Sequence, residues 1–109
     1  MDKYDVFVSE PAEFDLQAIF FHISTQLLAP QTAENMIDTL HKEMSSLEVM
    51  PKRNPLVEDA FLASLGYRIL PVKNYLVFYS VVDMPAPEVN IERVLYKGRN
   101  WQHILTLSL

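Results

Sequence analysis

Residues 66–82 read GYRILPVKNYLVFYSVV, and the period of this run decides the fold class. Two β-rich segments flank Lys73 and Asn74, with room between them only for a tight turn. Tyr67–Val72 is therefore expected to pair with Tyr75–Val82, with Asn74 tolerating the positive φ such a turn needs. Pro71 denies the first strand one ladder hydrogen bond, which places it at an edge or a bulge. YLVFYSVV is apolar at both alternating sets of positions, the mark of a central strand covered on both faces. Asp83–Pro87, DMPAP, turns the chain, and Val89–Tyr96 follows as a further strand. Strict alternation puts Val89, Ile91, Arg93 and Leu95 on one face and Asn90, Glu92, Val94 and Tyr96 on the other.

Upstream of this run the period is helical. Leu16, Ile19, Phe20, Ile23 and Leu27 share one stripe, behind an N-cap at Ser9, a first-turn Pro11 and the acids Glu10, Glu13 and Asp15. A helix over about 10–28 is predicted. Pro30 starts a second, in which Ala33, Ile37, Leu40, Met44 and Leu47 repeat at four and three. The short linker forces an antiparallel helical hairpin. Tyr4–Ser9 alternates as a short strand. Residues 48–66 hold Pro51 and Pro55 and read as an ordered loop with one helical turn near 58–64. The tail, WQHILTLSL, is a short helix or an extra strand. The expected fold is α+β: an N-terminal strand, then a helical hairpin packed on an antiparallel or mixed sheet of about four strands, with a short C-terminal tail. It forms a single domain over 1–109.

Composition narrows the chemistry. With no cysteine among 109 residues, disulfides and thiolate metal sites are excluded. No basic leader or apolar run of membrane-spanning length is present, so a cytoplasmic protein is expected, with no membrane partner. The net charge of −5 divides unevenly. Residues 1–50 carry nine acids against Lys3 and Lys42, whereas residues 51–109 carry seven Lys/Arg against five acids. Any anion site is therefore local and lies in the second half, while the first half repels a polyanion. Neither a glycine-rich phosphate loop nor a metal-binding spacing occurs, so no cofactor and no metal are expected.

Several stretches together carry a family resemblance: SEPAEFDL (Ser9–Leu16), PKRNPLVED (Pro51–Asp59), GYRILPVKNYLVFYSV (Gly66–Val81) and RVLYKGRNW (Arg93–Trp101). In their order and spacing the chain resembles the RelE/ParE toxins of bacterial type II toxin–antitoxin systems over roughly residues 4–105. The resemblance implies a growth-inhibiting toxin neutralised by a cognate antitoxin, in a toxin–antitoxin hetero-oligomer. It implies two possible targets: the ribosome and its mRNA, which one branch cleaves without a metal, or DNA gyrase, which the other poisons without being a nuclease.

Cleavage of RNA without a metal needs a base, an acid and cations for the phosphorane charge. In the ribonuclease branch an arginine commonly follows the aromatic that opens the central strand. Here that aromatic is Tyr75 and the next residue is Leu76, which favours the gyrase-directed reading. If the chain is an enzyme, it is a metal-independent mRNA endoribonuclease whose catalytic candidates are Arg68, Arg99 and His103. Lys52, Arg53, Lys73 and Lys97 are candidates for phosphate or target binding. Arg68 is read either as an anion contact or as an ion pair with an acid. Arg93, on an apolar face, is expected to be paired structurally. A non-toxic binding or regulatory module is the third reading.

Overall fold

In the computed structural model, which describes residues 3–109, each sequence period becomes an element in the expected order. Strand β1, Asp5–Val8, leads into α1, Glu10–Phe21, where Ser9 Oγ accepts from the Ala12 N–H at 3.1 Å. Helix α2, Pro30–Ser45, runs back alongside α1. Short 3₁₀ turns at Ser46–Glu48 and Pro51–Arg53 lead to a one-turn helix α3, Ala60–Ser64, capped by Asp59. Then come β2 (Arg68–Val72), β3 (Tyr75–Val82), β4 (Glu88–Tyr96) and helix α4, Trp101–Leu107, which resolves the tail as helical. The sheet order is β1-β4-β3-β2; β1 runs parallel to β4 and the other pairs are antiparallel. Pro71 thus sits on an edge strand, where its missing donor is tolerated.

Both faces of β3 are buried, as its apolar run requires. On one face Tyr75, Val77 and Tyr79 pack with Val89, Ile91 and Val94 under Leu16 and Ile19 of α1 and Leu40 and Met44 of α2. On the other, Phe78 and Leu95 lie beneath Leu62 of α3 and Leu105 of α4. The Trp101 ring stacks obliquely on Phe78 with centroids 5.3 Å apart. Each such fully buried side chain contributes about 1.5–3 kcal/mol. The short α4 is therefore held by tertiary packing, since seven residues do not sustain a helix alone.

Three local features depart from the sequence reading. The first helix does not continue as α-helix to residue 28: it widens into a π-helical segment, His22–Gln26, with Leu27 N–H on the His22 carbonyl at 3.0 Å. The turn residue with positive φ is Lys73, at 55°, rather than Asn74. Finally, a bulge interrupts β4. Phe78 pairs with Arg93 and Tyr79 with Ile91, so Glu92 has no partner of its own. One extra residue moves the following side chains to opposite faces. Val94 joins Val89 and Ile91 under the helical hairpin, while Leu95 packs on the other side with Phe78.

β1 pairs with β4 only as far as Val8 and Ile91, yet β4 continues to Tyr96. Asp15 of α1 occupies the vacant edge. Its carboxylate accepts from Arg93 Nε at 2.7 Å, Arg93 Nη2 at 2.8 Å and the Val94 backbone N–H at 2.9 Å. Arg93 also donates to Ser108 Oγ at 2.8 Å, so one guanidinium joins α1, β4 and the end of α4. The expected structural pairing of Arg93 is found, and the Asp15 bond holds its pKa above the ordinary arginine value.

Candidate functional site

The cations singled out in the sequence fall into two groups at opposite ends of β3. Arg68 pairs across the sheet with Tyr79, whereas Val72, at the other end of β2, pairs with Tyr75. Four residues of strand separate these ends, about 13 Å of backbone.

The Tyr79 end gathers Lys52, Arg53 and Arg68, all committed to internal bonds. Arg53 closes the end of α2: Nη1 donates to the carbonyls of Val49 at 2.7 Å, Met50 at 3.2 Å and Ser46 at 3.3 Å, and Nη2 to Ser46 Oγ at 2.8 Å. This places positive charge where unpaired helix carbonyls collect. Lys52 pairs with Asp83 at 2.6 Å, and Tyr4 donates to the same carboxylate at 2.6 Å. The Lys52 bond holds the Asp83 carboxyl below its usual range, and the Asp83 bond raises the Lys52 ammonium. The expected ion pair of Arg68 is not found among the described residues; Nη1 donates instead to the Asn54 carbonyl at 2.7 Å and the Lys52 carbonyl at 3.3 Å. The Tyr79 hydroxyl, its pKa raised by burial, donates to the Pro51 carbonyl at 2.6 Å and accepts from Asn54 at 3.1 Å. These groups pin the proline-rich loop to the sheet.

The Tyr75 end carries the free cations. The Lys97 N–H donates to the Asn74 carbonyl at 2.9 Å, which ties the β2–β3 turn to the β4–α4 loop. Lys73, Lys97, Arg99 and His103 are all exposed there, and among the described residues none of their side chains forms an ion pair. Gly98 lets this loop fold against Tyr96; a Cβ at that position would meet the Tyr96 ring at 2.8 Å. Beside the loop opens a cleft of about 680 Å³, bounded by Ile19, Ile23 and Leu27 on one side and Tyr75, Tyr96 and Arg99 on the other. Its surface is mostly apolar with a cationic rim. The sequence singled out Arg99, but the cleft was invisible in it, because α1, the π segment and β4 are far apart in the chain.

The two groups stand at opposite ends of β3. Leu76 packs into the apolar cluster with Phe78 and Leu95. Ser80 lies on the same face of β3 as Leu76, and it contacts Glu92 Oε1 at 3.3 Å. Burial pushes the Glu92 carboxyl upward from its ordinary range. This face of the sheet therefore presents hydrocarbon under α4 and a carboxylate beyond it. The bulge aims Glu92 there, and simple alternation gives no sign of that.

A four-stranded mixed sheet with a helical hairpin on one face and a basic loop at one end makes this a small α+β domain. The model of the ParE toxin of type II toxin–antitoxin systems, parDE, matches residues 6–101, and the chain belongs to that family. No curated protein is matched by sequence. Among solved structures, the chain is similar to one from the chromosomal ParDE system of P. aeruginosa. The TM-score is 0.71 at 18% identity, covering 86% of this chain and 96% of the other. It is also similar to a chain of the RelBE2 toxin–antitoxin complex of Mycobacterium tuberculosis, with TM-score 0.56 at 18% identity, covering 86% and 98% respectively. At these identities the structures speak for the fold. No described helix is long and apolar enough to cross a membrane.

Proposed function

We propose that this chain inhibits growth from the cytoplasm by binding DNA gyrase stoichiometrically, without cutting RNA, and that a cognate antitoxin neutralises it in a hetero-oligomer. The observation that carries the non-nuclease reading is the separation of the cations. Arg68 is bonded into the loop at one end of β3, while Arg99 and His103 stand at the other. Phosphoryl transfer needs its acid, base and charge-stabilising groups within hydrogen-bond reach of one phosphate. Glu92, on the sheet face opposite the hairpin, adds repulsion where a phosphate would sit. The antitoxin is supported by the two neighbours, one from a ParDE system and the other from a RelBE2 toxin–antitoxin complex. The free cations Lys73, Lys97 and Arg99 then serve as contacts to an acidic surface of the target.

Induced expression in a bacterial host, followed by parallel gyrase supercoiling and primer-extension assays, tests this. The expected outcome is growth arrest, inhibited supercoiling and uncut mRNA, with inhibition weakened at least tenfold in the Lys97→Ala/Arg99→Ala variant. Site-specific mRNA cuts lost on changing Arg99 or His103 would establish the nuclease instead. Absence of growth arrest would favour the non-toxic binding module.

A further inference from the structure

The cleft beside the basic loop, about 680 Å³, has one wall of Ile19, Ile23 and Leu27 and another of Tyr75, Tyr96 and Arg99. Sites for small molecules run to about 300–1,000 Å³. Tyr75 and Tyr96 are cross-strand partners whose rings meet edge to face, with centroids 6.0 Å apart. The Arg99 N–H donates to the Tyr96 carbonyl at 3.0 Å, which folds this residue back beside the tyrosine pair. Two polar groups of this wall have no use inside the protein. Tyr75 is only 8% exposed, yet its hydroxyl has no hydrogen-bond partner among the described residues. No fully buried polar side-chain atom there lacks a partner, so this hydroxyl reaches solvent, and it does so in the cleft that Tyr75 lines. Burial holds the Tyr75 phenol above its ordinary range, so it stays protonated and can donate. The Arg99 guanidinium likewise forms neither an ion pair nor a hydrogen bond among the described residues. Asp15, the acid of the lining, is already satisfied by Arg93 and the Val94 N–H, and His22 is bonded to Gln26 at 2.6 Å.

We propose that this cleft binds a small amphipathic monocarboxylate, whose carboxylate accepts from the Arg99 guanidinium and the Tyr75 hydroxyl and whose aliphatic chain lies against Ile19, Ile23 and Leu27. A guanidinium presents parallel N–H donors that match the two oxygens of a carboxylate. The negative charge strengthens both contacts, and the phenol gains the acceptor that its buried position otherwise denies it. A phosphate dianion fits less well. Arg99 is the one permanent cation among the described lining residues, since Lys73 and Lys97 stand in the adjoining loops outside it, and hydrocarbon walls give a dianion nothing to bind. The same walls reward a chain, because each CH₂ taken out of water favours binding about fourfold. Ligand binding at this place is independent of the choice between gyrase and the ribosome as target.

The test is an amide NMR titration of the full-length protein with octanoate, butyrate, octanol and inorganic phosphate. Octanoate is expected to shift the amides of Ile23, Leu27, Tyr96 and Arg99 with a dissociation constant of about 1 mM or tighter, a modest affinity for its size. Butyrate, octanol and phosphate should each bind about tenfold more weakly or worse, for want of chain, charge and apolar contact respectively. Arg99→Gln should weaken octanoate about tenfold and Tyr75→Phe about threefold or more, with octanol unchanged in both. Undiminished octanoate affinity in either folded variant overturns the assignment. If a variant fails to fold, the comparison of the four probes on the unaltered protein decides alone. Octanol or phosphate binding as tightly as octanoate overturns the carboxylate class, and an octanoate titration that leaves these amides unmoved overturns the site. Shifts of the same amides on concentrating the protein without ligand show a second copy to be the occupant and overturn it as well.

Discussion

Replacing Asp15 with alanine should be the most damaging single change outside the apolar core. Its carboxylate closes the edge of β4 that β1 does not reach, through the two Arg93 bonds and the Val94 N–H bond. Both side chains are largely withdrawn from water, at 17% exposure for Arg93 and 12% for Asp15. Taking away one partner of a buried pair costs about 3–5 kcal/mol, because the remaining charge is left desolvated. The orphaned Val94 donor lies within that figure. A domain of this size has about 5–15 kcal/mol in total, so Asp15→Ala should consume a large share of it. Arg93→Met should be costly as well: methionine fills the space, but the Asp15 carboxylate is left desolvated with only the Val94 N–H as donor, and Ser108 loses its bond to the guanidinium. The double variant should be less damaged than the two single losses added together, with a coupling of about 2 kcal/mol or more. Urea unfolding of the four proteins, followed by circular dichroism, completes the cycle. A loss below about 1 kcal/mol for Asp15→Ala, in the range of surface ion pairs, would refute the claim that this contact replaces a missing strand.

Two further outcomes follow from local geometry. Leu28 ends the first helix at φ 54° with its side chain 84% exposed, so Leu28→Gly should stabilise the protein by a few tenths to about 1 kcal/mol in thermal unfolding. Ala29 N–H on the Ile23 carbonyl at 3.0 Å should survive the change. Glu92 has a folded-state pKa above its ordinary 4.5, so the folded state binds the proton more tightly than the unfolded chain. Its contribution is fully favourable below that ordinary value and is lost as pH rises through the elevated one. Glu92→Gln should accordingly remove a decline in stability on going from acid to neutral pH, and the melting temperature at pH 7 should rise relative to the unaltered protein; an identical pH profile for the two would contradict the burial of this carboxyl.

What the sequence disclosed and what it withheld divide along a physical line. Features set by residues adjacent in the chain were legible: the Ser9 cap, the apolar stripes of the hairpin, the edge placement forced by Pro71 and the double burial of YLVFYSVV. The bulge was not, because Glu92 is extra only relative to a partner strand whose register depends on both cores. Arg93, expected beside Val89 and Ile91, was correctly expected to be paired, but the face it occupies follows from that register. The same limit governs the candidate site. Basic residues are conspicuous in an acidic chain, yet composition cannot distinguish an arginine offered to a partner from one spent on carbonyls. Arg53 and Arg68 donate to backbone carbonyls and Lys52 pairs with Asp83, whereas among the described residues the exposed side chains of Lys97 and Arg99 form no ion pair. Leu76 was the one local clue to this division, and its burial against the Phe78 cluster gives the clue its cause. An arginine at that position would place a charge among apolar side chains, where desolvation costs several kcal/mol unless a partner is at hand. Under the proposed gyrase-directed reading, the covering of this face by α4 and the aliphatic side chain at position 76 are one structural choice: a small domain stabilised by an apolar second core, in place of a charge that RNA cleavage would use.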